Sequence, residues 1–346
     1  LEKENRLRIN EAWRMGTERL RAAEVDEAEA NSELLLLHVL GIGKAELLRD
    51  LREPFPEGKR ELWERVLDRK AAGEPAQYII GEQAFYGRPF RVTPDVLIPR
   101  PETELLAEAV LAEAASWDVA DANAATGPGG LELDTAANRG MTDANTATYG
   151  SGTAAGEARS RGQGIRVGRP LVLLDVGTGS GALAVTLAAE REDWRVLASD
   201  LSPAALDVAR GNAAANGVEE RIEFVEGDLL MPFLCTDERP EGMAIDILVS
   251  NPPYIRSADM PGLQREVRDF EPHLALDGGE DGLTPYRRMA EQLARLPRLP
   301  RLVAWEMGAG QADDAAELLR AVADWREIRY VKDYAGIDRH VIAVKD

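Results

Sequence analysis

Between residues 4 and 72 apolar positions recur at intervals of three and four, with Trp13, Leu20, Val25, Leu34, Leu35, Leu36, Leu37, Leu47, Leu48, Leu51, Leu62, Trp63, Val66 and Leu67 set among charges. That spacing is the helical period and predicts a small helical bundle. Gly41 and Gly43, then Pro54 and Pro56, mark its internal breaks. From residue 77 to 98 the pattern changes to short extended runs, Tyr78-Ile79-Ile80, Ala84-Phe85-Tyr86 and Phe90-Arg91-Val92, separated by Gly81, Gly87 and Pro94. This predicts a hairpin, followed by a proline-rich lid at Ile98-Pro99-Arg100-Pro101 and a helix over residues 102–115.

Residues 115–168 break the pattern: Ala, Gly, Ser and Thr fill 31 of 54 positions, and large apolar residues are few. Such a segment buries too little surface to offset its ordering entropy, so a disordered insertion is expected. Beyond it strands and helices alternate. Strands are expected near residues 171–176, 195–199, 222–225, 245–250, 302–305, 327–332 and 340–344, and helices near 182–190, 203–216, 285–295 and 312–323. The alternation predicts an α/β fold with a mostly parallel, seven-stranded Rossmann-like sheet covered on both faces. Its last two strands have no helix between them, so the final one should run antiparallel. Three regions follow: a helical domain at 1–76, a hairpin linker at 77–101, and an α/β domain at 102–346 that carries the insertion.

Bulk properties narrow the function. Forty-one basic against 61 acidic residues leave a formal charge of -20, which argues against general nucleic-acid binding through a basic surface. Cys235 is the single cysteine, and His38, His273 and His340 are scattered, so neither an internal disulfide nor a metal site is expected. The charged first ten residues do not resemble a secretory leader, and the missing initiator Met points to a trimmed start. Residues 171–189 are nearly long and apolar enough to span a bilayer, but Asp175 and three glycines interrupt them. A cytoplasmic protein without membrane segments is expected.

The chemistry is concentrated at the ends of the expected strands. Asp175-Val176-Gly177-Thr178-Gly179-Ser180-Gly181-Ala182 runs from a strand into a helix, where glycines let a ligand approach the backbone and free amides favour an anionic group. Asp200 ends the next strand, where a carboxylate can accept both hydroxyl hydrogens of a ribose. Asp228 follows the third strand, beside the expected position of an adenine. These residues suit a nucleoside-containing cofactor and do not by themselves separate hydride transfer from methyl transfer.

Asn251-Pro252-Pro253-Tyr254, directly after the fourth strand, decides between them. The prolines stiffen the turn and leave carbonyls free to accept. The Asn251 side-chain oxygen and the Pro252 carbonyl can take both hydrogens of a substrate NH2 group, and Tyr254 can stack on a planar amide. This is an arrangement for methylating a planar amide or amino nitrogen with S-adenosyl-L-methionine. A dehydrogenase would leave the motif without a role; an adenine-N6 methyltransferase would use it equally well.

The chain resembles the bacterial release factor glutamine methyltransferase (PrmC/HemK) family. The resemblance rests on Gln77-Tyr78-Ile79-Ile80-Gly81, on the run from Val96 through Ile98-Pro99-Arg100-Pro101-Glu102-Thr103-Glu104, on Val249-Ser250-Asn251-Pro252-Pro253-Tyr254-Ile255, on Phe270-Glu271-Pro272 and on the run from Ala275 to Leu283. It implies an N-terminal helical domain that helps hold a release factor, and methylation of the glutamine side chain in the Gly-Gly-Gln loop of class 1 peptide-chain release factors. It also implies cofactor contacts at Gly177 to Gly181, Asp200 and Asn251, and substrate contacts at Asn251, Pro252, Pro253 and Tyr254. Some members carry an aromatic residue where this chain has Leu229. Arg100 is expected at the meeting of lid and cofactor pocket, or anchored to Glu102 or Glu104, and the loop over residues 256–282 at the substrate entrance. A release-factor-binding protein without catalysis is the remaining alternative.

Overall fold

The computed structural model describes residues 7–126, 169–234 and 242–345. The chain divides into two compact units, Leu1–Val110 with Pro170–Asp346, and Leu111–Arg169. Within the first, five helices form the N-terminal bundle: α1 (Ile9–Ala22), α2 (Ala28–Leu40), α3 (Lys44–Asp50), α4 (Arg60–Ala71) and α5 (Ala76–Ile80). Its core is Leu20, Leu35, Leu36, Leu47, Trp63, Val66 and Leu67, which are the residues on the predicted helical stripe. Leu34 and Leu48, from the same list, instead face outward. Gly16 lets α1 meet α4, since a Cβ there would lie 2.5 Å from the Trp63 ring.

The extended reading of Tyr78-Ile79-Ile80 is incorrect. These residues form α5, closed by Gly81 in the left-handed region. Tyr78 and Ile79 are buried, and the Tyr78 hydroxyl donates to the Val96 carbonyl at 2.6 Å, so tertiary packing outweighs the β preference of a Tyr-Ile-Ile run. The hairpin is shorter than expected, β1 (Glu82–Phe85) pairing antiparallel with β2 (Arg88–Arg91).

Helix α6 (Pro101–Thr126) continues past Ala115, where composition predicted the disordered insertion to start. Alanine is the best helix former, so a sequence poor in core residues still propagates an existing helix. Residues 127–168 of the expected insertion lie outside the described residues.

The seven-stranded sheet contains β3 (Val172–Val176), β4 (Arg195–Asp200), β5 (Ile222–Glu226), β6 (Ile247–Ser250), β9 (Leu302–Glu306), β10 (Glu327–Lys332) and β11 (Asp338–Val344), in the order β10-β11-β9-β6-β3-β4-β5. β11 runs antiparallel to both neighbours, as the missing helix before it predicts. Helices α7 (Ala182–Glu190), α8 (Pro203–Ala215), α10 (Thr284–Leu293) and α11 (Ala312–Val322) fall at the predicted positions. Ser202 caps α8, accepting from the Ala205 amide at 3.2 Å ahead of Pro203. Strand order reverses at β3, with β4 on one side and β6 on the other, and the carboxyl ends of strands flanking such a reversal form a crevice.

Three small elements after β6 have no counterpart among the expected strands and helices. These are β7 (Ile255–Arg256), α9 (Arg265–Phe270) and β8 (Asp277–Gly279), with β7 and β8 paired in parallel. Among the described residues no helix is long and apolar enough to cross a membrane.

Candidate active site

A cavity of about 410 Å³ opens at the carboxyl ends of β3, β4, β5 and β6. Gly177, Thr178, Gly179, Ser180, Asp200, Asp228, Leu229, Asn251, Pro253 and Arg100 line it, so residues proposed from separate motifs converge on one space. Gly181, Pro101, Pro252 and Tyr254 are not in its lining. Gly181 starts α7 at φ +81, and a Cβ there would press on Ala209 and Val185. Pro101 opens α6, Pro252 is buried, and Tyr254 packs against the hydrophobic core.

The glycine turn has a positive φ at Gly177 (+70) and Gly179 (+54), and a Cβ at either would meet no protein atom within 4 Å. Backbone shape together with open space for a ligand therefore explains glycine here. Asp200 is bound into this turn: one carboxylate oxygen accepts from the Gly179 amide at 2.8 Å and the other from the Ser202 amide at 2.9 Å. Burial raises its pKa above the usual carboxylate value, and these amide bonds work in the opposite direction.

Asp175 lies beneath the turn. One oxygen accepts from the Thr178 hydroxyl at 2.6 Å and from the Ala184 amide at 3.1 Å; the other is buried without a hydrogen-bond partner. Burial pushes this carboxyl up to about 7. An unfolded Asp titrates near about 4, so between these values the folded chain holds a proton that the unfolded chain releases. The contribution of Asp175 to stability is thus complete below the lower value and is lost as pH rises through the upper one. Thermal unfolding across that window should show a flatter pH dependence for Asp175→Asn than for the wild type; parallel curves would contradict the assignment.

Asp228 lines the cavity and forms an ion pair with Arg288 of α10, another lining residue that the sequence did not single out. Leu229 holds φ +52, unusual for a branched side chain and characteristic of a loop shaped around a site.

Arg100 also lines the cavity, but its ion pair is with the buried Glu271 at 2.6 Å, and neither Glu102 nor Glu104 anchors it. The other Glu271 oxygen accepts from the Ile98 amide at 3.3 Å, so Phe270-Glu271-Pro272 fastens the proline-rich lid. Glu104 accepts instead from the Tyr86 amide of the hairpin.

Asn251 leaves the end of β6 with its carboxamide Nδ2 donating to the Thr103 hydroxyl at 3.1 Å. Among the described residues the Pro252 carbonyl accepts no hydrogen bond. The Tyr254 phenol is pushed up to about 12, by burial first and by the Glu306 carboxylate second, and stays protonated at neutral pH. The loop beyond β7 closes another side of the cavity through Pro272, Leu274, Ala275, Gly278 and Gly279. A Cβ on Gly278 would lie 2.8 Å from the Pro253 carbonyl oxygen and from the Tyr254 Cα, both backbone. Gly278→Ala should therefore displace the turn and cut turnover by about tenfold or more, since small misplacements at reacting atoms are costly. Unchanged turnover would show that the turn tolerates the shift.

Comparison with known proteins identifies the family. Residues 168–278 match the methyltransferase small domain family, which identifies β3 to β6 and their loops as those of a methyltransferase. Residues 11–81 match the PrmC N-terminal domain family. The release factor glutamine methyltransferase of Moorella thermoacetica is 35% identical over 97% of this chain and 98% of its own length. Its counterpart from Cereibacter sphaeroides is 36% identical over the same shares of the two chains. The Bacillus subtilis protein of that name is 36% identical over 93% of each. The chain belongs to the release factor glutamine methyltransferase family.

Proposed function

We propose that this enzyme transfers a methyl group from S-adenosyl-L-methionine to the side-chain amide nitrogen (N5) of the glutamine in the Gly-Gly-Gln loop of class 1 peptide-chain release factors, in the cytoplasm. The observation that carries this reading is the position of Asn251 on the wall of the cavity, with its NH2 end tied back to Thr103 and its carbonyl oxygen left to accept.

Several features support the cofactor. The cavity volume suits a ligand of nucleoside size. Asp200 and Asp228 supply carboxylates around it, which complements a cationic sulfonium and ammonium. The Asp200 carboxylate, held by the Gly179 and Ser202 amides, keeps acceptor capacity for ribose hydroxyl hydrogens. Gly177 and Gly179 leave room for close approach, and Leu229 offers an apolar surface to the adenine.

When bound, S-adenosylmethionine supplies an electrophilic methyl on a positively charged sulfur. The chain prepares the nitrogen. An amide NH2 is a poor nucleophile because its lone pair is delocalised into the carbonyl. Asn251 Oδ1 and the Pro252 carbonyl accept its two hydrogens, favour the pyramidal geometry in which the lone pair is free, and offset the positive charge that develops on nitrogen. A strong general base is unnecessary, since the nitrogen becomes acidic as its new bond forms. Tyr254, neutral and packed against the core outside the cavity lining, braces the turn from behind. Arg100 and Glu271 hold the lid, and the wall from Pro272 to Gly279 frames the entrance for an extended loop.

Incubation with labelled S-adenosylmethionine and a release factor, its Gln-to-Ala loop variant, or nucleic acid tests the substrate. Label on the wild-type release factor alone is expected. Label on nucleic acid, or equally on both proteins, would refute the glutamine assignment.

A further inference from the structure

Asn251 can act as described only if its carbonyl end faces the substrate, yet a carboxamide turned by half a revolution has almost the same shape. The turn itself does not choose between the two orientations. Thr103 and the buried Glu306 behind it make the choice.

Thr103, in the first turn of α6, is 4% exposed, and Glu306, the last residue of β9, is 2% exposed. The Thr103 hydroxyl donates to Glu306 Oε2 at 2.7 Å, while Thr103 Oγ1 itself accepts the hydrogen bond from Asn251 Nδ2 at 3.1 Å. A hydroxyl has one hydrogen, and an ionised carboxylate can only accept. With that hydrogen committed to Glu306, Thr103 faces Asn251 as an acceptor, and only the NH2 end of the carboxamide can satisfy it. The Asn251 oxygen is thereby turned away from Thr103. In the opposite orientation Asn251 would direct hydrogens at the substrate NH2, which needs acceptors.

The relay is also costly to leave incomplete. Among the described residues Thr103 provides the side-chain hydrogen bond to the Glu306 carboxylate, and a buried carboxylate without a donor is strongly unfavourable. The neighbouring His340 ring, opposite Glu306 in the β9–β11 pairing, is fully buried at 3.6 Å, beyond hydrogen-bond reach.

We propose that Thr103, held by Glu306, is a positioning residue that fixes which end of the Asn251 carboxamide meets the substrate nitrogen. The proposal rests on the reading of Asn251 as an acceptor for the glutamine NH2. Thr103 reaches the cavity wall beside Asn251, and the proposal assigns it an action on turnover that runs through Asn251.

The test uses the full chain and compares Thr103→Val, Thr103→Ser, Asn251→Ala and the Thr103→Val/Asn251→Ala double variant. The readouts are kcat, KM for the release factor, calorimetric cofactor affinity and melting temperature. Thr103→Val is expected to lower kcat about tenfold while KM and cofactor Kd stay within about twofold, and Thr103→Ser to restore most of the loss. Because Thr103 acts through Asn251, the double variant should be no slower than Asn251→Ala alone. Thr103→Ala carries the same test if the valine variant does not fold. Unchanged kcat in the variant lacking the hydroxyl, an equal loss in Thr103→Ser, or a further full loss on top of Asn251→Ala would each overturn the proposal. An inactive Asn251→Ala beside a normal Thr103→Val would remove the positioning role alone. A normal Asn251→Ala would remove the underlying reading of Asn251.

Discussion

Asn251→Ala should lower turnover by about a hundredfold or more while cofactor affinity changes by no more than about threefold, because the lost acceptor acts mainly as charge develops on the nitrogen. The size follows from the part assigned to Asn251. In the ground state the substrate NH2 can use water or the Pro252 carbonyl, so little binding is lost. In the transition state the nitrogen carries developing positive charge and its hydrogens bond more strongly, so a missing acceptor costs most there. Thr103 would remain tied to Glu306, and the sheet beneath, including the Ser250 hydroxyl on the Val176 carbonyl at 2.7 Å, would be undisturbed. Steady-state kinetics with calorimetry separates the two effects. Turnover near wild type would show that Asn251 has no such role, and an equal loss of cofactor affinity would make it a binding residue.

Asp200→Asn should weaken cofactor binding by about a hundredfold, nearly as much as Asp200→Ala, corresponding to the loss of one or two charge-assisted hydrogen bonds. The substitution is conservative in shape and unsuitable in chemistry. Both oxygens of Asp200 accept backbone N–H bonds, from Gly179 and Ser202, and an amide can satisfy only one of them. Its NH2 end would face an amide donor, disturb the glycine turn, and offer a ribose hydroxyl one acceptor in place of two. Isothermal titration with S-adenosylmethionine measures this directly. Affinity of Asp200→Asn within about threefold of wild type would remove Asp200 from the ribose site and leave it only the role of bracing the turn.

The sequence made most of the architecture and part of the site legible, and the division has a physical origin. The glycine turn, Asp200, Asp228 and Asn251 were readable because each is a local device at a strand end: a positive φ, a carboxylate at the end of a strand, a stiffened turn with a carboxamide. The antiparallel last strand was readable from the length of its connection. What escaped was long-range pairing. Arg100 meets Glu271 across 171 residues, Thr103 meets Glu306 across 203, and Asn251 meets Thr103 across 148. Thr103 and Glu271 stand inside recognisable motifs, but a motif shows that a residue is present and not which partner the fold brings to it. Arg288 belongs to an exposed helical pattern and had no signal of its own. Tyr78-Ile79-Ile80 failed for another reason: their helix is set by burial against residues distant in sequence, such as Val96, which local β preference cannot register.

Chemically, the site divides its work between a rigid floor and a fastened lid. The floor is the set of strand ends, with Asp175, Asp200 and Asn251 fixed by hydrogen bonds to backbone or to buried side chains. The lid is the Ile98 to Arg100 segment, held by Glu271 from the loop that also lines the entrance. Substrate loop and cofactor would therefore meet between elements that are already oriented, as methyl transfer to a weak nucleophile requires.

The most direct measurement is tandem mass spectrometry of the release factor after incubation with the enzyme and S-adenosylmethionine. The account predicts one added methyl, located on the side-chain nitrogen of the Gly-Gly-Gln glutamine, and none when Asn251 is Ala. A methyl on any other atom of the release factor, or an undiminished modification by the Asn251→Ala variant, would contradict it.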